Sequence, residues 1–285
     1  MATGSSSRGG NPVLETILLF REAWYGALVI GLACSVLGIW VVLRRIVFVG
    51  AALAQLSSAG IALALWAGGF TLLAPFAHRP TAVSLVVTLL GALFFGLGGG
   101  RRLISSEAAI GVSYAVAAAM GILLIAKAAT GEAHDIFLQG NILAITRRDT
   151  LVLLGVSLPV LALHLLFYKE FLFVSFDPET ARTVGYRVRA WNLLLYFTLG
   201  VVIASAMQFA GVLLVFGMLV LPAVTGLLLA GSMRGAFAGA VASALLAVTI
   251  GFALSVPFDL PSSPAIVAVA GAQVGLAWIV RRVRS

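Results

Sequence analysis

The stretch that decides the fold is Arg189–Arg234, RAWNLLLYFTLGVVIASAMQFAGVLLVFGMLVLPAVTGLLLAGSMR. Between its two terminal arginines lie 44 residues without one Asp, Glu, Lys, Arg or His. A helix rises about 1.5 Å per residue, and a bilayer core of about 30 Å takes about 20 apolar residues. The tract is too long for one crossing and long enough for two, which we place at 191–206 and 208–230. Pro222 and the glycines Gly211, Gly217 and Gly226 allow either a bend or simply close helix packing here. Gly231–Arg234 reads as a short turn.

The same pattern extends outward in both directions. Further apolar segments occupy roughly 23–43, 46–68, 80–98, 107–127, 150–168, 235–256 and 264–280, for about nine in all. Of the whole chain, 61% is hydrophobic and 10% charged, against about 25% charged in an ordinary soluble domain. The expected fold class is therefore all-α, a polytopic membrane helix bundle. It forms one transmembrane domain over 23–285, preceded by a polar tail over 1–22. Residues 1–12, MATGSSSRGGNP, lack the apolar core and small-residue cleavage site of a signal peptide. Val13–Phe20 reads as a short interfacial helix. The single Cys34 falls inside an apolar run and reads as core packing.

The net charge of +8 is distributed in clusters between apolar runs. That is the pattern of membrane loops and not of a nucleic-acid surface. One set of junctions with the C-terminus collects Arg44, Arg45, Arg101, Arg102, Lys169, Arg182, Arg187, Arg189, Arg234, Arg281, Arg282 and Arg284. The opposite side holds Arg8, Arg21, Arg79, Lys127, Arg147 and Arg148. This two-to-one excess assigns the first side, and the C-terminus, to the cytoplasm. Nine spans then put the N-terminus outside. The outer connections are Thr130–Asp149, a short interfacial helix candidate, and Val256–Pro264, where Pro264 suits a first helical turn.

Several chemistries are excluded. No Asp or Glu lies in the middle of a span, so a proton-relay carrier lacks its relay. A phosphate-binding P-loop needs GxxxxGK[ST], and neither Lys127 nor Lys169 sits in one. The chain is not an ATPase. Ser157 and His164 lie seven residues apart on one span, about 10 Å along a helix, which is too far for a serine–histidine pair. HExxH is absent.

One loop segment is built as a complete helix. In Asp177–Gly185, DPETARTVG, Asp177 is an N-cap and Pro178 fits the first position. Glu179 favours the positive helix end, Arg182 is in i,i+3 register with it, and Gly185 fits the left-handed C-terminal position. The segment is either an ordinary capped loop helix or a docking surface for a motor subunit on the cytoplasmic face. Gly235–Gly239 and Gly271–Gly275 have the small-xxx-small spacing of close helix contacts.

Five stretches together resemble the permease subunits of bacterial zinc and manganese ABC importers, over roughly residues 20–280. They are LGIWVVLRRIVFVGAALA (Leu37–Ala54), FLQGNILAIT (Phe137–Thr146), FDPETARTVG (Phe176–Gly185), FAGVLLVFGMLVLPA (Phe209–Ala223) and DLPSSPAIV (Asp259–Val267). The resemblance implies a homodimeric channel in the plasma membrane, with cytoplasmic ATPase subunits that hold the ATP and Mg. It also implies an extracytoplasmic solute-binding protein and a coupling helix at Asp177, Pro178, Glu179, Ala181, Arg182 and Gly185. No cofactor is expected on this chain.

The family's second span usually reads Gly-Asp-x-x-x-His. Here Gly50 is followed by Ala51, Gln55 stands at the His position, and Asn141 stands where an Asp is frequent. Ala51, Gln55, Ser58, Asn141 and Gln208 are the candidate pathway residues. His134 and Asp135 are candidates to meet arriving metal, or simply a solvated loop pair. His78 and His164 read as interfacial or packing residues, and Met207 and Met218 as helix filler or pathway lining. Divalent metal is the first expectation for the cargo. The alternatives are a non-metal solute or metal chelate carried by the same architecture, and a non-transporting scaffold subunit.

Overall fold

The computed structural model describes residues 20–68, 79–98, 105–127, 142–255 and 258–284. The tail, the 13–19 part of the expected interfacial helix, His78, Arg101, Arg102, His134, Asp135 and Asn141 lie outside the described residues. Ten α-helices follow in order among the described residues: α1 Arg21–Leu43, α2 Val47–Ala67, α3 Pro80–Gly96, α4 Ser106–Lys127, α5 Arg147–Leu166, α6 Tyr168–Phe176, α7 Pro178–Thr183, α8 Val188–Leu229, α9 Met233–Ser255 and α10 Ser262–Arg284. A 3-10 turn, Ile142–Ala144, precedes α5. Among the described residues there is no strand.

Among the described residues, seven helices are long and apolar enough to cross a bilayer. α3, an apolar helix of 17 residues, is shorter. The 42-residue α8 is broken by a single non-helical residue, Gly211, at φ 71° and ψ 170°. The contacts of its two limbs show that the chain reverses there. Asn192, near the start of α8, accepts a hydrogen bond from Arg44 just after α1. Leu227, near the other end of α8, packs against a buried cluster of Ile39, Ala223, Ala236 and Ala240 that Val42 and Leu43, at that same end of α1, also cover. Between them, Ala210 accepts a hydrogen bond from Ser263 at the start of α10. The expected division at Met207 therefore moves to Gly211, where φ is positive and side chains are disfavoured.

Other boundaries move for local reasons. α1 begins at Arg21 and α5 at Arg147, earlier than expected. At α5, Thr146 and Asp149 form a capping box, each side chain bonding the other's backbone N–H. The polar tract 169–190 contains a helix that the apolar-run reading missed, α6, with Phe171 and Val174 buried at i,i+3. Phe171 ties α6 to the bundle by lying among Trp40, Trp191 and His164.

Small residues within the core let backbones approach. A Cβ on Gly38 would sit 1.8 Å from the Leu219 carbonyl oxygen, and one on Gly226 would sit 2.3 Å from that of Ala236. Gly239 meets the Gly226 Cα at the same crossing. Among the described residues of this chain, Gly271 and Gly275 make no close helix contact, since nothing lies within 4 Å of a Cβ at either position. Cys34 is fully buried, as a packing residue.

Candidate functional site

α7 is a single short helix closed at both ends. Asp177 Oδ1 accepts the Thr180 N–H at 3.0 Å, and Pro178 takes the first turn. At the far end Gly185 adopts φ 97°. The Gly185 N–H donates to the Arg182 carbonyl, and the Tyr186 N–H to that of Ala181. Those two bonds make a Schellman closure, which requires the left-handed glycine. The Asp177 carboxyl is held below its ordinary value by hydrogen bonds from the Thr180 side chain and backbone. The Glu179–Arg182 pair expected from the i,i+3 register does not form; Arg21–Glu22 is the ion pair found among the described residues. Both Glu179 and Arg182 are exposed, where water competes with such a pair.

α7 is fastened to its neighbours by one apolar contact. Ala181 is fully buried between Val174 of α6 and Val188 of α8, flanked by Phe173, Tyr186 and Trp191. An open groove of about 460 Å³ runs beside it, lined by Val184, Gly185, Tyr186, Arg187, Ala190, Trp191 and Leu194.

The loop that carries α7 is clamped at its base by Arg44, a residue the sequence did not single out. Arg44 Nε donates to Ser175 Oγ at 2.8 Å, and Nη1 donates to Asn192 Oδ1. Ser175 precedes α7 and Asn192 follows it, so one guanidinium holds both strands of the loop. Its Nη2 is buried without a hydrogen-bond partner among the described residues. Burial lowers the Arg44 pKa to about 10, which still leaves it protonated at neutral pH. Its partners lie 131 and 148 residues away, and no local pattern announces them.

The described candidate pathway residues, Ala51, Gln55, Ser58 and Gln208, do not form one cluster. Ala51, Gln55 and Ser58 fall at i, i+4 and i+7 on one face of α2, and all three are buried. Next to them Ser57 and Ser84 share a hydroxyl hydrogen bond at 2.7 Å between α2 and α3. Gln208 lies at the other end of the bundle from Ala51, where it accepts a hydrogen bond from Thr81 Oγ1 at 2.7 Å. Met207 and Met218 are buried packing residues. His164, 2% exposed, stacks on Phe171, bonds the Val160 carbonyl and approaches Thr198 Oγ1. It is a satisfied core histidine. Among the described residues no three His, Cys, Asp or Glu side chains come together as a metal site.

Charge is sorted between the two ends. α9 and α10 run antiparallel, since Ser243 bonds Gln273 and Gly251 abuts Ile266. The end that carries α7 therefore also holds Arg44, Arg45, Lys169, Arg182, Arg187, Arg189, Arg234, Arg281, Arg282 and Arg284. The other end holds Arg21, Arg79, Lys127, Arg147 and Arg148.

Comparison with known proteins gives consistent results. A family model described as the ABC 3 transport family matches residues 16–280. The chain is 30% identical over 260 residues to the manganese transport system membrane protein MntC of Halalkalibacterium halodurans, covering 90% of this chain and 86% of that protein. It is 31% identical to the manganese import system permease protein ScaB of Streptococcus gordonii, covering 89% and 88%. The solved structure of PsaBC from Streptococcus pneumoniae in complex with Fab superposes with a TM-score of 0.81 at 27% identity, over 93% of this chain and 94% of that one.

Proposed function

The chain belongs to the ABC 3 transport family, and from that membership we propose that it is the permease subunit of an importer for a divalent metal ion, driven by ATP hydrolysed on a separate subunit. Manganese ranks before zinc as cargo, because relatives at 30% and 31% identity over about nine tenths of the chain are named for manganese. The observation that carries the reading is α7, a doubly capped turn on the basic end, anchored by Ala181 and clamped at its base by Arg44. Such a turn transmits a push as a unit and does not unravel under it.

The remaining assignments follow from this reading. The basic end faces the cytoplasm by the positive-inside rule, with the C-terminus on that side of the inner membrane. The reversal at Gly211 and the apolar α3 support nine passes and an outer N-terminus. Two copies form the channel. The ATPase, which holds ATP and Mg, seats on Asp177–Gly185, and an extracytoplasmic binding protein delivers cargo at the opposite end, where His134 and Asp135 are candidates to meet it. Ala51, Gln55, Ser58, Asn141 and Gln208 are the pathway candidates. ATP binding shifts the two-state equilibrium of the channel only if the ATPase docks better in one state.

The test is ATPase activity and uptake by the complex reconstituted with its ATPase and binding protein, with manganese, zinc and iron compared. Metal should stimulate hydrolysis, and Asp177→Ala or Gly185→Val should separate hydrolysis from uptake. Unchanged coupling in both variants would refute the coupling role. Ala51 and Gln55 favour a second reading, a metal chelate or non-metal solute as cargo. Under that reading free ions leave hydrolysis unchanged while a chelate stimulates it. If the chain proves dispensable for uptake, it is a scaffold.

A further inference from the structure

A second groove, of about 560 Å³, opens between α1, the α5–α6 junction and α9, away from α7 and from the α2 face. It is sorted along its length. On α1 its lining runs from Leu32 to Trp40, on α5 and α6 from Leu161 to Tyr168, and on α9 from Val241 back to Arg234. Seven or eight helical residues make about 10–12 Å of depth. Arg234 and the Tyr168 phenol lie at the basic end of the bundle, where α9 begins, whereas the His164 ring, also in the lining, is turned to the Val160 carbonyl and Thr198. Leu32, Leu161 and Val241 line the deeper part.

Arg234 is exposed and makes no ion pair among the described residues. It stands in the first turn of a 23-residue helix, whose positive end adds to its attraction for an anion. No carboxylate lines the groove. Leu165 and Leu166 on its flank are 71% and 76% exposed, as for side chains that meet acyl chains and not water. A tyrosine at this level matches the preference of amphipathic rings for the headgroup zone.

We propose that this groove is a binding site for one anionic phospholipid, its headgroup phosphate held by Arg234 and Tyr168 and an acyl chain laid along α1, α5 and α9. The charge pattern sets the occupant. A second copy of the chain would have to bring a carboxylate to Arg234 at the membrane surface, whereas an anionic lipid brings its phosphate there already attached to an apolar chain. The site is independent of what the chain transports. It couples lipid composition to the packing of α9 against Trp40, through Phe237.

The test is native mass spectrometry of the detergent-purified complex, delipidated and titrated with phosphatidylglycerol or phosphatidylcholine. The wild type should retain phosphatidylglycerol over phosphatidylcholine by about fivefold, the factor expected of one cation near the headgroup. Arg234→Gln should abolish that preference. Ala238→Trp, which fills the groove from an exposed lining position, should lower retention of both lipids. The proposal fails if the wild type retains both lipids equally, or if Arg234→Gln keeps the preference. It also fails if Ala238→Trp leaves lipid retention unchanged while converting dimers to monomers, which would make the groove a contact between copies.

Discussion

Replacing Gly211 with alanine isolates the reversal on which the layout of α8 depends. At φ 71° and ψ 170°, Gly211 occupies a region essentially closed to residues with a Cβ. Forcing alanine into it costs about 1–3 kcal/mol, and the middle value of about 2 is a thirtyfold change in the folding equilibrium. The chain cannot relieve the strain by straightening. A continuous helix of 42 residues would be about 63 Å long, twice the bilayer core. It would also pull Leu227 from the Ile39 cluster at the end of α1, or Asn192 from Arg44. The same substitution elsewhere should act in the opposite direction. Gly111 lies in the interior of α4 with nothing within 4 Å of an added Cβ. There alanine should stabilise by about 0.5–1 kcal/mol, by restricting the unfolded chain. The assay is equilibrium unfolding of the two variants in mild detergent, followed by tryptophan fluorescence. Gly211→Ala should shift the midpoint down and Gly111→Ala slightly up. Equal shifts, or an unmoved Gly211→Ala, would refute the claim that a positive φ is what turns the chain.

Gly38→Ala and Gly226→Ala should each cost about 1–3 kcal/mol by overpacking, because the atoms they meet are backbone and cannot rotate away; the same unfolding assay reads this. Arg44→Gln should loosen the base of the α7 loop and raise the ATP hydrolysed per ion taken up, while Arg44→Lys, which keeps the charge but has no fork to span Ser175 and Asn192, should restore this ratio only in part. The Asp177 carboxyl has a folded pKa below its ordinary 3.8, so its capping contribution is present above that value and disappears as pH falls through the lowered one. Coupling in the wild type should therefore hold through the mildly acidic range and fail only well below it, whereas Asp177→Asn, which caps without titrating, should keep coupling at neutral pH and lose that acid step.

Much of the architecture is legible in the sequence because bilayer physics leaves few choices. Apolar runs of about 20 residues must be helices with their backbone groups satisfied internally. Asp177, Pro178 and Gly185 were equally legible, since a cap, a first-turn proline and a left-handed closure are local requirements met by local residues. The misreadings concern interactions that are not local. Gly211, Gly217 and Gly226 are alike in sequence; one turns the chain, while the others face Val267 and Ala236 across helix contacts. Gly271 and Gly275 have the spacing of a packing motif, but α10 turns that face away from its neighbours. α6 was hidden by Lys169 and Glu170, although Phe171 and Val174 show the buried i,i+3 stripe. Arg44 resembles any loop arginine until the fold brings Ser175 and Asn192 to it.

The question of cargo turns on Ala51 and Gln55, and the structure makes their replacement informative in a way the sequence alone does not. Both are enclosed by the helices of this chain, at 7% and 9% exposure, one helical turn apart on the same face of α2. Aspartate at position 51 would bury a carboxylate, at a cost of several kcal/mol unless a cation meets it. Histidine at position 55 would supply the nitrogen donor that, with that carboxylate, suits manganese or zinc. Ala51→Asp with Gln55→His should therefore be less stable than the wild type without metal and should recover when metal is added. A ligand at a hundred times its dissociation constant contributes about 2.7 kcal/mol. The measurement is the unfolding midpoint of the double variant and of the wild type, each with and without manganese or zinc, alongside uptake by the reconstituted complex. A site that gains stability in this way also releases its ion more slowly, so uptake should fall as binding tightens. That opposition is a physical reason for a channel fed by a separate binding protein to keep only weak donors on this face. A double variant as stable as the wild type and indifferent to metal would place this face of α2 outside the path of the ion.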